Sequence, residues 1–598
     1  MQRLLRFLAP HKKRVLLLII ANLLVSGLLI VAPLVTKAIV DDVIGAGQFN
    51  LLLPYLGLLL LVALVRAAAT YYYSYGQNQL GQFVMTDVRY ALYRKLLALQ
   101  FSFYDSNQTG RLMSRVSSDV ESTRIFLAQI LVESVNQTTT IVLAMVAMFV
   151  QDWRLALLIV LPLLGSGVGL FYTHRHLRAP WARHHELVAK MTGTLQDSLS
   201  GIKVVKAFAQ EAQEIAKFMR TAEAVRTSNQ RNQDAWNIRW SIISSIGRFM
   251  QLLLIGAGGY WVMGGSMTMG TLVAAVSLSM LLLGAVNALG VQLNAFSQTA
   301  TASVRIFELL DEPVTIRPPT QLARALAGEG EQKPSPSGKG LGAEGTSASL
   351  RGEIAFQDVT FSYPATREPS LKGVTLHVPA GTSLAIVGAT GAGKTTLINL
   401  IGRFYDASKG SILVDGRDVR HYALDELRQQ IGYVAQDALL FSASIADNIA
   451  FGRPAATQAE IERAAALAQA HEFIGALPKG YQTRVGERGV GLSGGQRQRI
   501  AIARALLLNP RILILDDSLS AVDAETEKLL QAAVREVMRG RTSIIIAHRM
   551  STVEHADHII VLHDGAVVEE GTHQQLTQRA GYYRRVLELQ RMNALALE

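Results

Sequence analysis

"SLAIVGATGAGKTTLINLI", residues 383 to 401, reads as buried strand, glycine loop and helix, and this reading decides the fold of the second half of the chain. Gly388, Gly391 and Gly393 let backbone amides close around phosphate oxygens. Lys394 adds a point charge for the β and γ phosphates, and Thr395 offers its hydroxyl to magnesium. Thr390 and Thr396 are included among the expected nucleotide contacts. The bland alternative is a plain turn, and the full Gly-x-x-x-x-Gly-Lys-Thr spacing between a strand and a helix weighs against it.

Downstream, "ILILDDSLSAVD" (512 to 523) is an apolar strand, Ile512 to Leu515, that delivers Asp516 to its tip. Apolar strands ending in Asp are common. About a hundred residues after a phosphate loop, Asp516 becomes the expected acid for magnesium, directly or through water. Between the two stands "LSGGQRQR" (492 to 499). Ser493, Gly494 and Gly495 expose backbone amides where a helix through Arg497 and Ile500 begins, which makes a second anion site. One domain has no evident need of two phosphate cradles, whereas two copies facing each other can each cover the other's ATP. From Arg351 onward, short β-branched runs alternate with helical stretches, the sign of an α/β domain.

Working back toward the N-terminus, residues 313 to 350 are rich in Gly, Ser and Pro and poor in large apolar side chains, so a flexible linker is expected there. The chain of 598 residues is too long for one core, and its 49% hydrophobic and 18% charged residues are unevenly spread. Apolar blocks near 15–36, 52–73, 129–150, 154–173, 241–263 and 271–292 are long enough to cross a bilayer. The first follows a basic start and could pass for a signal peptide, but more spans follow, so a retained span is expected, with residues 2–10 an interfacial helix. Lys and Arg crowd the second-to-third and fourth-to-fifth connections and are missing from "DDVIGAGQFN" (41–50) and "VMGGSMTMG" (262–270). Both termini are therefore expected in the cytoplasm, with the long inside segments continuing the spanning helices. The formal charge of +11 forms no basic stripe, which argues against a nucleic-acid partner, and without cysteine there is no disulfide, thiolate metal site or Cys nucleophile.

These residues resemble the ATP-binding cassette (ABC) family: "LSGGQ" is its signature, and the resemblance covers the whole soluble half. It implies six spans (1–312) fused through the linker to a cassette (351–598), as in ABC exporters of the multidrug and lipid type, using ATP and Mg²⁺ in the plasma (inner) membrane. It also implies roles for individual residues. Tyr363 of "FSYP" looks like the aromatic that stacks on adenine, Gln436 of "YVAQD" the glutamine that reaches magnesium and senses the membrane half, and Gln496 part of the signature cradle. Asp523 resembles the residue of the loop between cassettes, and His548 the switch histidine at the γ-phosphate. "TRVGERG" (483–489) resembles an exporter segment, while "FSFYDSNQTGRLMSRVSSDV" (101–120) and "TLQDSLSGIKVVKAFAQE" (194–211) resemble coupling segments.

Active cassettes carry Glu after the magnesium acid, to orient or deprotonate water, whereas this chain has Asp517. The shorter acid draws the carboxylate back by roughly 1.3 Å, and a misplacement of about 1 Å can cost ~10²-fold in rate. Similarity to heterodimeric exporters implies a partner chain carrying Glu there. The alternatives are a homodimeric lipid or multidrug flippase, a regulatory ATP-binding subunit, and an ATP-gated channel. Cargo is expected to be amphiphilic or hydrophobic (drugs, lipids or peptides) by resemblance alone. Arg66, Asn136, Gln137, Asn287 and Gln292 lie in or near spans and face either a cavity or a neighbouring helix. His174, His176, His184 and His185 are a metal or proton site or, more simply, solvated interfacial residues.

Overall fold

A computed structural model describes residues 2–316, 350–364, 366, 368–486, 491–516, 532, 534–546 and 553–595. Contacts divide the chain into two units, Met1–Leu97 with Thr109–Glu312 and Ala98–Gln108 with Pro313–Glu598. The helices that matter below are α1 (Lys12–Ala38), α2 (Leu52–Ala98), α3 (Phe101–Ser106), α4 (Leu131–Gln151), α5 (Trp153–Ser200), α6 (Ile202–Ala207), α7 (Glu211–Met263), α8 (Met269–Asp311), α9 (Lys394–Ile401) and α10 (Gly494–Leu507).

The first unit is helical. Among the described residues, six helical stretches are long and apolar enough to cross a membrane, and each overlaps one of the expected spans. Helices α2, α5, α7 and α8 contain 47, 48, 53 and 43 residues. At about 1.5 Å per residue they run more than twice the thickness of a ~30 Å hydrocarbon layer. The spanning helices continue well past the apolar blocks, as expected, and the helical run is interrupted between residues 98 and 131. There the chain leaves the helix at Leu99–Gln100 and again at Asn107–Gln108, and it passes through wider turns at Arg115–Asp119 and Phe126–Ile130. One stop has a local cause, since the Asn107 amide donates to the Phe103 carbonyl (2.9 Å) and closes α3.

Small residues let these helices approach closely. An added Cβ at Gly247 of α7 would lie 2.3 Å from the Leu283 side chain of α8, and one at Gly258 2.4 Å from that of Leu272. Met148, Leu155, Ile159, Met250, Leu254 and Leu278 fill the interior of the bundle. Leu60, Leu64 and Leu161 are more than half exposed, as side chains facing hydrocarbon would be.

The second unit holds two sheets. β1 (Ile354–Phe361), β2 (Leu371–Val378), β4 (Lys409–Val414) and β5 (Arg417–Asp418) form an antiparallel sheet in the order β2-β1-β4-β5. β2 alternates as such a sheet requires, with Leu371, Val374, Leu376 and Val378 inward. The larger sheet joins β3 (Ser383–Val387), β6 (Ile431–Val434), β7 (Ile512–Asp516), β8 (Thr542–Ile546), β9 (His558–His563) and β10 (Ala566–Gly571) in the order β10-β9-β3-β8-β7-β6. Its strands are parallel except for β10. β3, β7 and β8 are buried at every position, which is why they read as unbroken apolar runs instead of alternating ones.

Candidate nucleotide site

Parallel strands present their carboxyl ends along one edge, and ligands of open α/β sheets bind there. β8 separates β3 from β7, with Ile546 level with both Ile386 and Asp516. The loop after Val387 and the acid at the tip of β7 therefore share that edge.

The loop keeps its shape because side chains are excluded from it. Gly391 and Gly393 have φ of +85° and +101°, in the left-handed region. An added Cβ at Gly388 would meet the Leu562 carbonyl at 2.3 Å, and one at Gly393 the Ser370 carbonyl at 2.6 Å. α9 follows at once and anchors the loop by burying Leu397, Ile398, Leu400 and Ile401. Lys394 is buried, and its ammonium donates to the carbonyls of Gly388 (2.9 Å) and Ala389 (3.0 Å), so its charge is held inside the loop it is expected to serve. Thr390 is exposed in the loop, Thr395 is exposed on the first turn of α9, and Thr396 is buried beside it.

Asp516 is buried at the tip of β7 and hydrogen-bonded to the Tyr433 hydroxyl. Burial first, and the Asp516 carboxylate second, push the Tyr433 phenol up to about 12. It therefore stays a neutral donor at working pH. A carboxylate and a hydroxyl are hard oxygen donors, a set that suits Mg²⁺ completed by phosphate and water. Among the described residues no group of three or more His, Cys, Asp or Glu side chains comes together as a metal site. Gln436 is exposed two residues past β6.

The second cradle opens α10. The Ser493 hydroxyl accepts from the Gln496 amide (3.2 Å), and the Gln496 side chain accepts from the Ser493 amide (2.9 Å), a reciprocal cap. Gln496 is thus engaged in the cap, and the first-turn amides of Gly494 and Gly495 are the donors left for an anion. α10 packs in a core with Ile445, Ile461 and Ile474, separate from the core around Leu384 and Ile398 that carries the phosphate loop. Tyr363 lies just beyond β1, half-buried, with its hydroxyl 3.1 Å from Thr396 Oγ1. Asp517, Asp523 and His548 lie outside the described residues, as do 487–489 of the exporter-like segment and 317–349 of the expected linker.

Two contacts around the candidate site were missed by sequence reasoning. Tyr433 reaches Asp516 only because β6 pairs with β7, and nothing local in "IGYVAQD" signals that. Arg504 of α10 donates to the carbonyls of Leu439 (3.0 Å) and Asn448 (2.8 Å) and to Asn448 Oδ1 (2.9 Å), tying the signature helix to the chain just after Gln436.

In the first unit, a cavity of about 950 Å³ is walled by apolar groups such as Phe126, Leu131, Val142 and Leu170, with Ser134 and Gln292 among its few polar ones. Ser134 donates to Gln292, and Ser26 of α1 donates to Asn136 of α4 (2.8 Å), so both residues bond between helices. Gln137 donates to Glu133 within α4, the Asn287 carbonyl oxygen is buried without a partner, and Arg66 is exposed. The histidines pack against tryptophans, His174 on Trp236 (5.9 Å) and His184 on Trp181 (5.5 Å).

A unit built to grip a triphosphate, in one chain with helices built to cross a bilayer, defines an ATPase coupled to transmembrane transport. The family description "ABC transporter transmembrane region" matches residues 15–286 and "ABC transporter" matches residues 371–520. The chain is 35% identical to YgaD of Bacillus subtilis, named as a multidrug export ATP-binding/permease protein, over 99% of this chain and 100% of that one. It is 36% identical to a Staphylococcus aureus protein named in the same way, with the same coverage, and 34% identical to the ABC transporter ATP-binding protein YknU of Bacillus subtilis over 98% and 97%. Among solved structures, a bacterial Atm1-family ABC exporter with ATP bound superposes with a TM-score of 0.80 at 28% identity, over 97% of this chain and 98% of that one. The chain belongs to the ABC transporter family and has the exporter architecture.

Proposed function

We propose that the chain is one half of a two-cassette exporter that drives amphiphilic or hydrophobic cargo (drugs, lipids or peptides) out across the plasma membrane, with both termini cytoplasmic. The observation that carries this reading is the apolar cavity of about 950 Å³ among the spanning helices of a chain whose other unit holds a phosphate loop. Its walls suit an apolar body, and Ser134 and Gln292 suit a single polar group. The names of the Bacillus and Staphylococcus relatives point the same way.

In the proposed cycle Lys394 exchanges the carbonyls of Gly388 and Ala389 for phosphate oxygens, and Tyr363 takes the adenine. The amides of Gly494 and Gly495 cover a nucleotide held by the second cassette. Thr395, Asp516 and Gln436 would hold Mg²⁺, which neutralises phosphate charge when bound. ATP drives closure only by favouring the closed pair over the open one. Asp517 makes this chain's own site the slow one, and the partner is a different chain carrying Glu at that position.

The test is ATP-dependent accumulation of a fluorescent amphiphile in vesicles containing the purified transporter. Lys394→Ala is expected to abolish accumulation. Transport undiminished by that substitution would make the chain's ATP a structural ligand, and flux continuing with bound but uncut nucleotide would make the protein a gated channel.

A further inference from the structure

We infer that Tyr405 is a positioning residue that links nucleotide occupancy to the segment Ala98–Gln108, acting through Tyr363. The inference rests on the proposed nucleotide site, because Tyr363 and Thr396 matter here as groups that ATP must engage.

Those two groups engage each other, with Tyr363 Oη and Thr396 Oγ1 3.1 Å apart. A nucleotide that places adenine on the Tyr363 ring and phosphate at the start of α9 has to replace that bond. Tyr363 therefore acts as an internal competitor, and its ring changes position when ATP binds.

The ring cannot move alone. Its edge meets the Tyr405 ring at 5.3 Å and 84°, and Phe361 packs on both, 4.9 Å from Tyr363 and 5.5 Å from Tyr405. Edge-to-face contacts are directional, so displacement of one ring is felt by the next. Tyr405 is buried, and its hydroxyl donates to Asp105 Oδ2 at 2.6 Å. Burial, and then the Asp105 carboxylate, hold the Tyr405 phenol well above the ordinary tyrosine range, so it remains a donor throughout.

Asp105 lies on α3, which packs with the second unit although its chain continues from α2 and returns to the first unit at Thr109. The neighbouring residue makes a second contact, Phe404 on Phe101 at 4.7 Å with the rings tilted by 38°, and Gln100 accepts from the Thr315 amide at 3.4 Å. Adjacent side chains of the cassette thus hold α3, and one of them leans on the ring expected to carry adenine. This path runs on the adenine side of the site, separate from Gln436. Since coupling is reciprocal, a segment that senses nucleotide through Tyr405 must in turn alter nucleotide affinity.

The experiment measures the Kd of a slowly hydrolysed fluorescent ATP analogue on the full-length transporter in nanodiscs, together with cargo stimulation of ATPase. Tyr363→Phe keeps the ring and removes the competing hydroxyl, so binding should tighten about threefold, the opposite of losing a useful contact. Tyr405→Phe and Asp105→Ala should each tighten binding by about fivefold, with the double variant no tighter than either, and each should lose cargo stimulation. Additive effects, unchanged or weakened affinity, or intact cargo stimulation would overturn the inference. Lys394→Ala run in parallel separates the two readings. Normal binding by that variant sinks the nucleotide site itself, whereas a Lys394-dependent site indifferent to Tyr405 and Asp105 sinks only the link.

Discussion

At the residue scale the site depends on a few atoms placed where nothing larger or less polar would serve. Gly388 is packed against the Leu562 carbonyl, whereas Gly391 has open space around it and needs only its positive φ. Gly391→Ala should therefore cost about 1–2 kcal/mol of local strain and leave ATP binding measurable, while Gly388→Ala should destroy binding. Titration of both variants with a fluorescent nucleotide checks the contrast. Tyr433→Phe removes the donor to Asp516 and should cost about 1 kcal/mol in stability, with a several-fold rise in the Mg²⁺ needed for half-maximal ATPase. A change in stability with no change in the metal requirement would make Tyr433 a packing residue only. The phosphate loop was legible because its chemistry demands glycines and a lysine at fixed spacing. Tyr433 was not, because its role comes from the pairing of β6 with β7, residues far apart in sequence.

At the element scale the spanning helices were legible from apolar length, and their partners were not. Gly247 and Gly258 of α7 meet α8, whereas Gly256 lies in open space, and nothing in the residue type alone tells the three apart. Gly258→Val should overpack the contact with Leu272 at a cost of about 1–3 kcal/mol, seen as a lower thermal midpoint in detergent, and Gly256→Val should change little. The cap of α10 was legible as Ser-Gly-Gly-Gln, but the commitment of the Gln496 side chain to it was not, since a glutamine three residues past a serine can cap the helix or reach a ligand. The stop at Asn107 was hidden for a similar reason. Its side-chain amide could have pointed to solvent, and instead it turns back on the carbonyl of Phe103, four residues earlier.

For the whole molecule, the proposed pairing of this chain with a second cassette is tested at Asp517. Purified alone, the chain should hydrolyse ATP slowly, and Asp517→Glu should raise kcat by about 10²-fold with little change in KM. A fast lone chain with no gain from Asp517→Glu would remove the case for a partner of different sequence. Division of the chain at Glu312 follows a boundary visible in composition, but the grouping of Ala98–Gln108 with the second unit was not legible, because that segment takes its place from Phe404 and Tyr405. The great length of α2, α5, α7 and α8 has a mechanical consequence. A rod pivoting at the membrane face, with roughly 40 Å of its length beyond it, sweeps its free tip through about 7 Å for every 10° of tilt. Modest angular play in the bilayer thus becomes a stroke longer than a turn of helix, and stiffness along these rods, more than their sequence, sets how faithfully that stroke is delivered.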